Sequence, residues 1–128
     1  MQFRKIAGPL TCRSNNNGTE QETPLPSSGG GRFCKDVQYM VVVTDESGDN
    51  ARCGIKLYQG PDRQHWDLHS TPIALSDPGP IDGLLVGDTA GSTNMIGEYL
   101  EPRVIVSDSA STTEQWVKVE VWEMRKPF

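Results

Sequence analysis

The stretch VQYMVVVT, residues 37–44, decides the fold of this chain. β-branched and aromatic residues fill it almost without a break, which is the composition of a β-strand. A nearly continuous apolar run of this length predicts a strand that is buried on both faces. The next six residues, 45–50, are the turn-forming cluster DESGDN, which predicts the end of the strand and a reversal of the chain.

Other short strands are predicted on both sides of this run, because apolar or alternating segments are separated by turn residues. Residues 76–82 are rich in Pro and Gly and predict an irregular connection, and residues 91–99 are ambiguous. The remaining predicted strands cover residues 3–7, 52–59, 65–70, 83–87, 103–107 and 116–124.

The last predicted strand alternates most clearly. One face carries Trp116, Lys118, Glu120 and Trp122, and the other carries Val117, Val119, Val121 and Glu123. Successive residues of a strand point to opposite faces, so the valine face is expected in the core. The tryptophan face is mixed, and a half-buried subunit interface would have this composition.

No window of eleven or more residues has a helical period, and Pro and Gly recur too often for one. The predicted fold class is therefore all-β. We expect a single antiparallel β-sandwich or jelly-roll-like barrel of about 7–8 short strands with long polar loops. One domain is expected to span residues 1–128, with residues 11–31 as an extended polar loop or arm.

The charge and the N-terminal sequence restrict the partners. The formal net charge is −5, which argues against direct nucleic-acid binding, since that requires a basic surface. It argues equally against docking on anionic lipid. No signal peptide or membrane-spanning segment is evident. We therefore expect no membrane partner and a location in a virion or a cytoplasmic assembly.

Three cysteines, Cys12, Cys34 and Cys53, are too widely spaced for a zinc site. Buried reduced thiols are the expected state. A Cys12–Cys34 bridge across the Gly- and Ser-rich segment is the alternative.

The best metal candidate is the stretch HWDLH, because His65, Asp67 and His69 alternate and are all ligand types for transition metals. Three such residues on one straight strand cannot converge on one ion without a bulge. The competing interpretation is a polar outer face, with Trp66 and Leu68 turned into the core.

No nucleophile elbow, phosphate-binding loop or dinucleotide fingerprint is present. We therefore expect no enzymatic activity, no catalytic residues and no cofactor.

Residues 55–68, IKLYQGPDRQHWDL, resemble a hairpin of small β-sandwich structural proteins of phages and prophages. In that hairpin an amphipathic strand leads into a Ser-Pro-Asp-Gly-type turn, followed by Trp and then Asp-Leu. In this chain Gly60 replaces the Ser and Arg63 replaces the turn Gly. The resemblance implies a capsid, decoration or tail component, or a related shell or filament subunit.

A self-assembling structural protein is accordingly the predicted function, as a homo-oligomer or together with other structural subunits. Four aromatic residues are the interface candidates: Phe3, Trp116, Trp122 and Phe128. The alternative is a small carbohydrate- or protein-binding β-sandwich module, which predicts an exposed aromatic row or a concave face with a few polar anchors.

Overall fold

The computed structural model of the protein describes residues 2–78, 83–90 and 96–128, so parts of the predicted 76–82 and 91–99 segments lie outside the described residues. The described chain contains eight strands and one short 3₁₀ helix at Gly31–Phe33. None of its helices is long and apolar enough to cross a membrane. The strands are β1 (Arg4–Arg13), β2 (Gln21–Pro24), β3 (Cys34–Glu46), β4 (Ala51–Gly60), β5 (Asp67–Ser76), β6 (Leu84–Asp88), β7 (Tyr99–Asp108) and β8 (Trp116–Pro127).

The strands form two antiparallel four-stranded sheets, ordered β1-β8-β3-β6 and β2-β7-β4-β5. The first strand pairs with the eighth, the second with the seventh, the third with the sixth and the fourth with the fifth. This is the pairing of one long hairpin rolled into two facing sheets, which defines the eight-stranded jelly roll. The predicted fold class is confirmed.

The core lies between the sheets and is built from alternate residues of the inner strands. On β3, Val37, Tyr39, Val41 and Val43 are fully buried, and Gln38, Met40 and Val42 between them are only half-buried. The prediction of burial on both faces is therefore wrong within one chain, because no layer of the described chain covers the outer side of this strand. The facing core side chains include Cys53, Ile55, Leu57, Leu100, Val104, Val106, Val117, Val119 and Val121.

The segment predicted as a loop or arm, residues 11–31, contains regular structure. Its first three residues complete β1, and Gln21–Pro24 pairs with β7 in register from Val106 to Arg103. Backbone N–H groups of Leu25 and Ser28 then donate to carbonyls of β7 at 2.9 and 3.0 Å. Backbone hydrogen bonds to β7 therefore hold this segment in an extended conformation that its polar composition does not predict.

A buried charge cluster ties the end of β8 to this same segment. Glu123 is 2% exposed and accepts from the Tyr39 hydroxyl at 3.0 Å and from Arg125 Nε at 2.8 Å. The Arg125 guanidinium also donates to the Gly29 carbonyl at 2.6 Å. Because each buried charged group has a partner, this polar cluster is compatible with the apolar core around it.

The three cysteines are buried free thiols, as expected, and no Cys12–Cys34 bridge is formed. Burial raises the pKa of Cys12 to about 11 and that of Cys53 to about 12. Neither thiol is therefore a nucleophile at neutral pH.

Candidate functional site

Strand β8 presents its two faces as the sequence predicts. Val117, Val119 and Val121 are fully buried, whereas Trp116 and Trp122 are half-buried on the opposite face. Lys118 on that outer face is exposed. The mixed tryptophan face is therefore the outer surface of the first sheet.

Apolar side chains from three neighbouring strands meet on this outer surface. Met40 lies opposite Trp122 on one side and opposite Val86 on the other, so the three residues form one row across the sheet. Val42 and Leu84 form the adjacent apolar row. Residues that pair across strands share a face, so these rows are continuous. We call the set the outer apolar patch: Met40, Val42, Leu84, Val86, Trp122 and Met124.

Two members of the outer apolar patch are strongly exposed, Leu84 at 56% and Val86 at 51%. Charged side chains border the patch, with Lys5 Nζ 4.0 Å from Glu120 Oε1 and Lys126 Nζ 3.7 Å from Asp88 Oδ2. An apolar centre with a charged rim is the usual anatomy of a protein–protein interface.

The outer face of the second sheet is built differently. Arg103 donates to Glu22 at 2.9 Å and to Glu101 at 2.8 Å, and its guanidinium lies 3.7 Å from the ring centre of Tyr58. Tyr58 and Lys56 also donate to Glu22, at 2.6 and 3.4 Å. Burial opposes ionisation of Glu22, but the bonds from Tyr58 and Arg103 outweigh it and lower its pKa. The polar side chains at the centre of this face therefore pair with one another.

The four predicted interface aromatics occupy different positions. Trp122 lies within the outer apolar patch, and Trp116 lies on the same face six residues earlier, opposite Arg13. Phe3 is half-buried just before β1, and Phe128 follows β8 with 88% of its surface exposed. Sequence reasoning missed Met40 and Val42 because it assigned the β3 run to the core. It missed Leu84 and Val86 because the pairing of β6 with β3 leaves no local signal in the sequence.

A second feature is a groove of about 690 Å³ at the end of the second sheet, where β4 turns into β5 beside the 3₁₀ helix and the start of β7. We call it the end groove. The side chains that matter for its chemistry are Arg32, Gln59, His65, Trp66, Asp67 and Glu98.

The turn that carries Trp66 is held by Asp62. Its carboxylate accepts the backbone N–H groups of Gln64 and His65, both at 2.8 Å, and lies 2.8 Å from the His65 Nδ1. These contacts, led by the Gln64 N–H, lower the pKa of Asp62 to about 2. Gly60 permits the tight return, because a Cβ there would lie 2.0 Å from the His65 carbonyl oxygen.

The predicted metal ligands are not brought together. His65 precedes β5 and is bound to Asp62, Asp67 is exposed, and His69 is 5% exposed with its Nδ1 2.9 Å from the Ser70 hydroxyl. Within residues 2–78, 83–90 and 96–128, no three His, Cys, Asp or Glu side chains form a group that could hold a metal ion.

The competing interpretation of this stretch is also wrong in detail. Leu68 was expected in the core but is 41% exposed, whereas His69 is buried. Register shifts between β4 and β5 near Ile55, Leu57 and Tyr58 reset which residues face inward. An edge strand with such bulges does not keep the simple alternation assumed from sequence.

Solved structures from one virus share this fold. The VP2 subviral particle of infectious bursal disease virus matches with a TM-score of 0.64 at 16% identity, over 98% of this chain and 32% of that chain. The Gt and Gx strains of the same virus match with TM-scores of 0.61 and 0.59 at 13% and 14% identity, each over 95% of this chain and 30% of theirs. No protein-family model and no curated protein matches the sequence.

This chain thus spans about a third of the length of the viral chains that it matches. At such low identity the likeness establishes a shared β-sandwich fold. The resemblance drawn from the hairpin sequence is borne out as far as the β-sandwich fold, which these three structures from infectious bursal disease virus, not from a phage, share with this chain.

Proposed function

We propose that this chain is a non-enzymatic structural subunit that assembles with further copies of itself into a capsid-like or decorating layer of a virion, such as that of a phage. The observation that carries the proposal is β3, whose sequence is that of a strand buried on both faces but whose outer side lies open in the single chain. A second subunit on the outer apolar patch would complete that burial.

The contrast between the two sheets supports this choice of contact face. The second sheet satisfies its outer side chains internally, through the network around Glu22 and Arg103. The first sheet instead exposes Leu84 and Val86 beside Met40 and Trp122. Because burying apolar area is the main driving force of association, the first sheet is the face that gains most from a partner.

The fold adds independent support. The solved structures that share this β-sandwich fold include the VP2 subviral particle of infectious bursal disease virus. Double-sheet jelly rolls of eight strands also recur in viral capsid domains. We propose no enzymatic reaction for the subunit, and the proposed partner is a second protein subunit.

The test measures the mass of the native protein by size-exclusion chromatography with light scattering at two protein concentrations. We expect the measured mass to correspond to several subunits. A reversible oligomer should lose mass on dilution, whereas a closed particle should keep the same mass at both concentrations. The Val86→Lys substitution places a charge in the outer apolar patch and should yield monomers.

Leu68→Lys is the matched control, since Leu68 is also an exposed apolar residue on an edge strand, 41% exposed against 51% for Val86, but lies outside the patch. It should leave the assembly intact. A wild-type protein that stays monomeric at both concentrations overturns the proposal. Loss of assembly in both variants overturns the assignment of the contact to the outer apolar patch.

A further inference from the structure

We propose that the end groove binds a neutral saccharide, with the indole of Trp66 as the surface on which a sugar ring stacks. This goes beyond the assembly role, because it gives the subunit a second, ligand-directed surface at the end of the second sheet. The half-buried Trp66 lines the groove together with the polar side chains defined above.

The backbone on both sides of Trp66 is held before any ligand arrives. Trp66 follows directly on the turn that Asp62 holds through three contacts at 2.8 Å. On its other side begins β5, whose Asp67 pairs with Gln59 of β4. A ligand that stacks on this ring therefore loses little free energy to ordering the backbone that carries it.

Polar groups of both kinds surround the ring. Asp67 offers a carboxylate acceptor that has no hydrogen-bond or ion-pair partner among the described residues. The side-chain oxygen of Gln59 accepts the Gly97 N–H at 2.7 Å, which leaves its amide NH₂ as a donor. Arg32 Nε forms an ion pair with Glu98 Oε2 at 3.0 Å, and the terminal nitrogens of Arg32 remain as further donors.

The combination of acceptors and donors in the end groove suits sugar hydroxyl groups better than it suits an ion. A sugar hydroxyl donates and accepts at once, so it can use Asp67 and Gln59 together. The charge of Arg32 is compensated by Glu98, whereas Asp67 is not compensated, so an anionic sugar or a phosphate would be repelled. An ammonium ligand would be attracted by Asp67, but it carries no acceptor for the Gln59 amide or for the terminal nitrogens of Arg32.

The shape agrees with a short oligosaccharide. A volume of about 690 Å³ lies within the range of small-ligand sites, and the groove is open along the surface rather than enclosed. A chain of sugars can therefore extend beyond the ring that stacks on Trp66.

The test uses the full chain in its native assembly and a panel of neutral trisaccharides: cellotriose, maltotriose, xylotriose and N,N′,N″-triacetylchitotriose. Isothermal titration calorimetry and tryptophan fluorescence measure binding at ligand concentrations up to about 10 mM, which covers weak millimolar affinities. Sialyllactose serves as the anionic probe, and Nα-acetyl-trimethyllysine amide serves as the cationic probe. We expect at least one neutral trisaccharide to bind and to bind more tightly than either charged probe.

Three variants locate the site. Trp66→Ala should weaken binding about tenfold or more, and the Trp116→Ala control on the first sheet should leave it unchanged. Asp67→Ala changes an exposed side chain and tests the groove without endangering the fold, and it should also weaken binding. Failure of all four trisaccharides, tighter binding of a charged probe, or unchanged affinity in both groove variants overturns the proposal.

Discussion

Replacing Tyr39 by Phe tests how much the buried charge cluster contributes to stability. Tyr39 is fully buried, and its hydroxyl donates to Glu123 at 3.0 Å. Phe keeps the ring and creates no cavity of note, so the substitution removes one hydrogen bond to a charged group. Such a bond is worth about 1.5–3 kcal/mol, and Glu123 keeps its bond from Arg125.

The free energy of unfolding should therefore fall by about 1.5–3 kcal/mol in a urea titration. In a chain of this size, each kcal/mol lowers Tm by roughly 3–5 °C. Burial and the neighbouring carboxylate of Glu123 raise the pKa of Tyr39 far above its usual value. The hydroxyl thus remains a donor across the accessible pH range, and the loss should not depend on pH between 6 and 9, a window well below the usual tyrosine pKa of about 10.

Tyr58→Phe is the matched control, because Tyr58 also donates to a glutamate, Glu22, at 2.6 Å but lies at the surface. Water replaces that donor, and Glu22 keeps its bond from Arg103, so the loss should stay below about 1 kcal/mol. The reasoning is refuted if Tyr58→Phe costs as much as Tyr39→Phe, or if Tyr39→Phe costs less than about 0.5 kcal/mol.

Two further predictions concern titratable groups. Burial, followed by the carboxylates of Asp77, Asp49 and Asp45, raises the pKa of Glu46, so the folded state resists its ionisation and stability is lost as the pH rises through that raised value. Glu46→Gln should accordingly stabilise the protein in denaturant titrations at pH 7 but not at pH 3.5, and an equal gain at both pH values would contradict this. Burial raises the pKa of the Cys53 thiol to about 12, so Ellman's reagent should modify Cys53 only at the rate of unfolding. Rapid modification of Cys53 in the native protein, identified by peptide mass, would show that the strand opens readily.

Strands with a strong pattern were predictable from the chain alone. β8 alternates Trp, Lys and Glu with Val, and the structure buries the valines as expected. β2 was not predictable, since Gln21–Pro24 has no strand composition and becomes a strand because β7 offers it a free edge. The start of β5 was misjudged because the bulges against β4 leave no periodic signal.

The residues of the two candidate surfaces were also predictable only in part. Trp122 was predicted as an interface residue, whereas Trp66 was expected in the core and instead lies half-buried in the end groove. Val86 joins Trp122 only because β6 pairs with the far side of β3, and Arg32 reaches Trp66 only through the 3₁₀ helix. Such neighbours are far apart in sequence, so local sequence patterns cannot predict that they lie together.

The sequence by itself determined that the chain is all-β, that the alternating valines of β8 face the core and that the thiols are buried, because these follow from local composition and a two-residue period. Only the tertiary structure decided that the outer face of β3 is left uncovered and that ion pairs form on the outer face of the second sheet. The physical reason is that a side chain's exposure depends on which strands pack beside and above it. That arrangement is set by the long-range pairing of the jelly roll rather than by the residue's immediate neighbours.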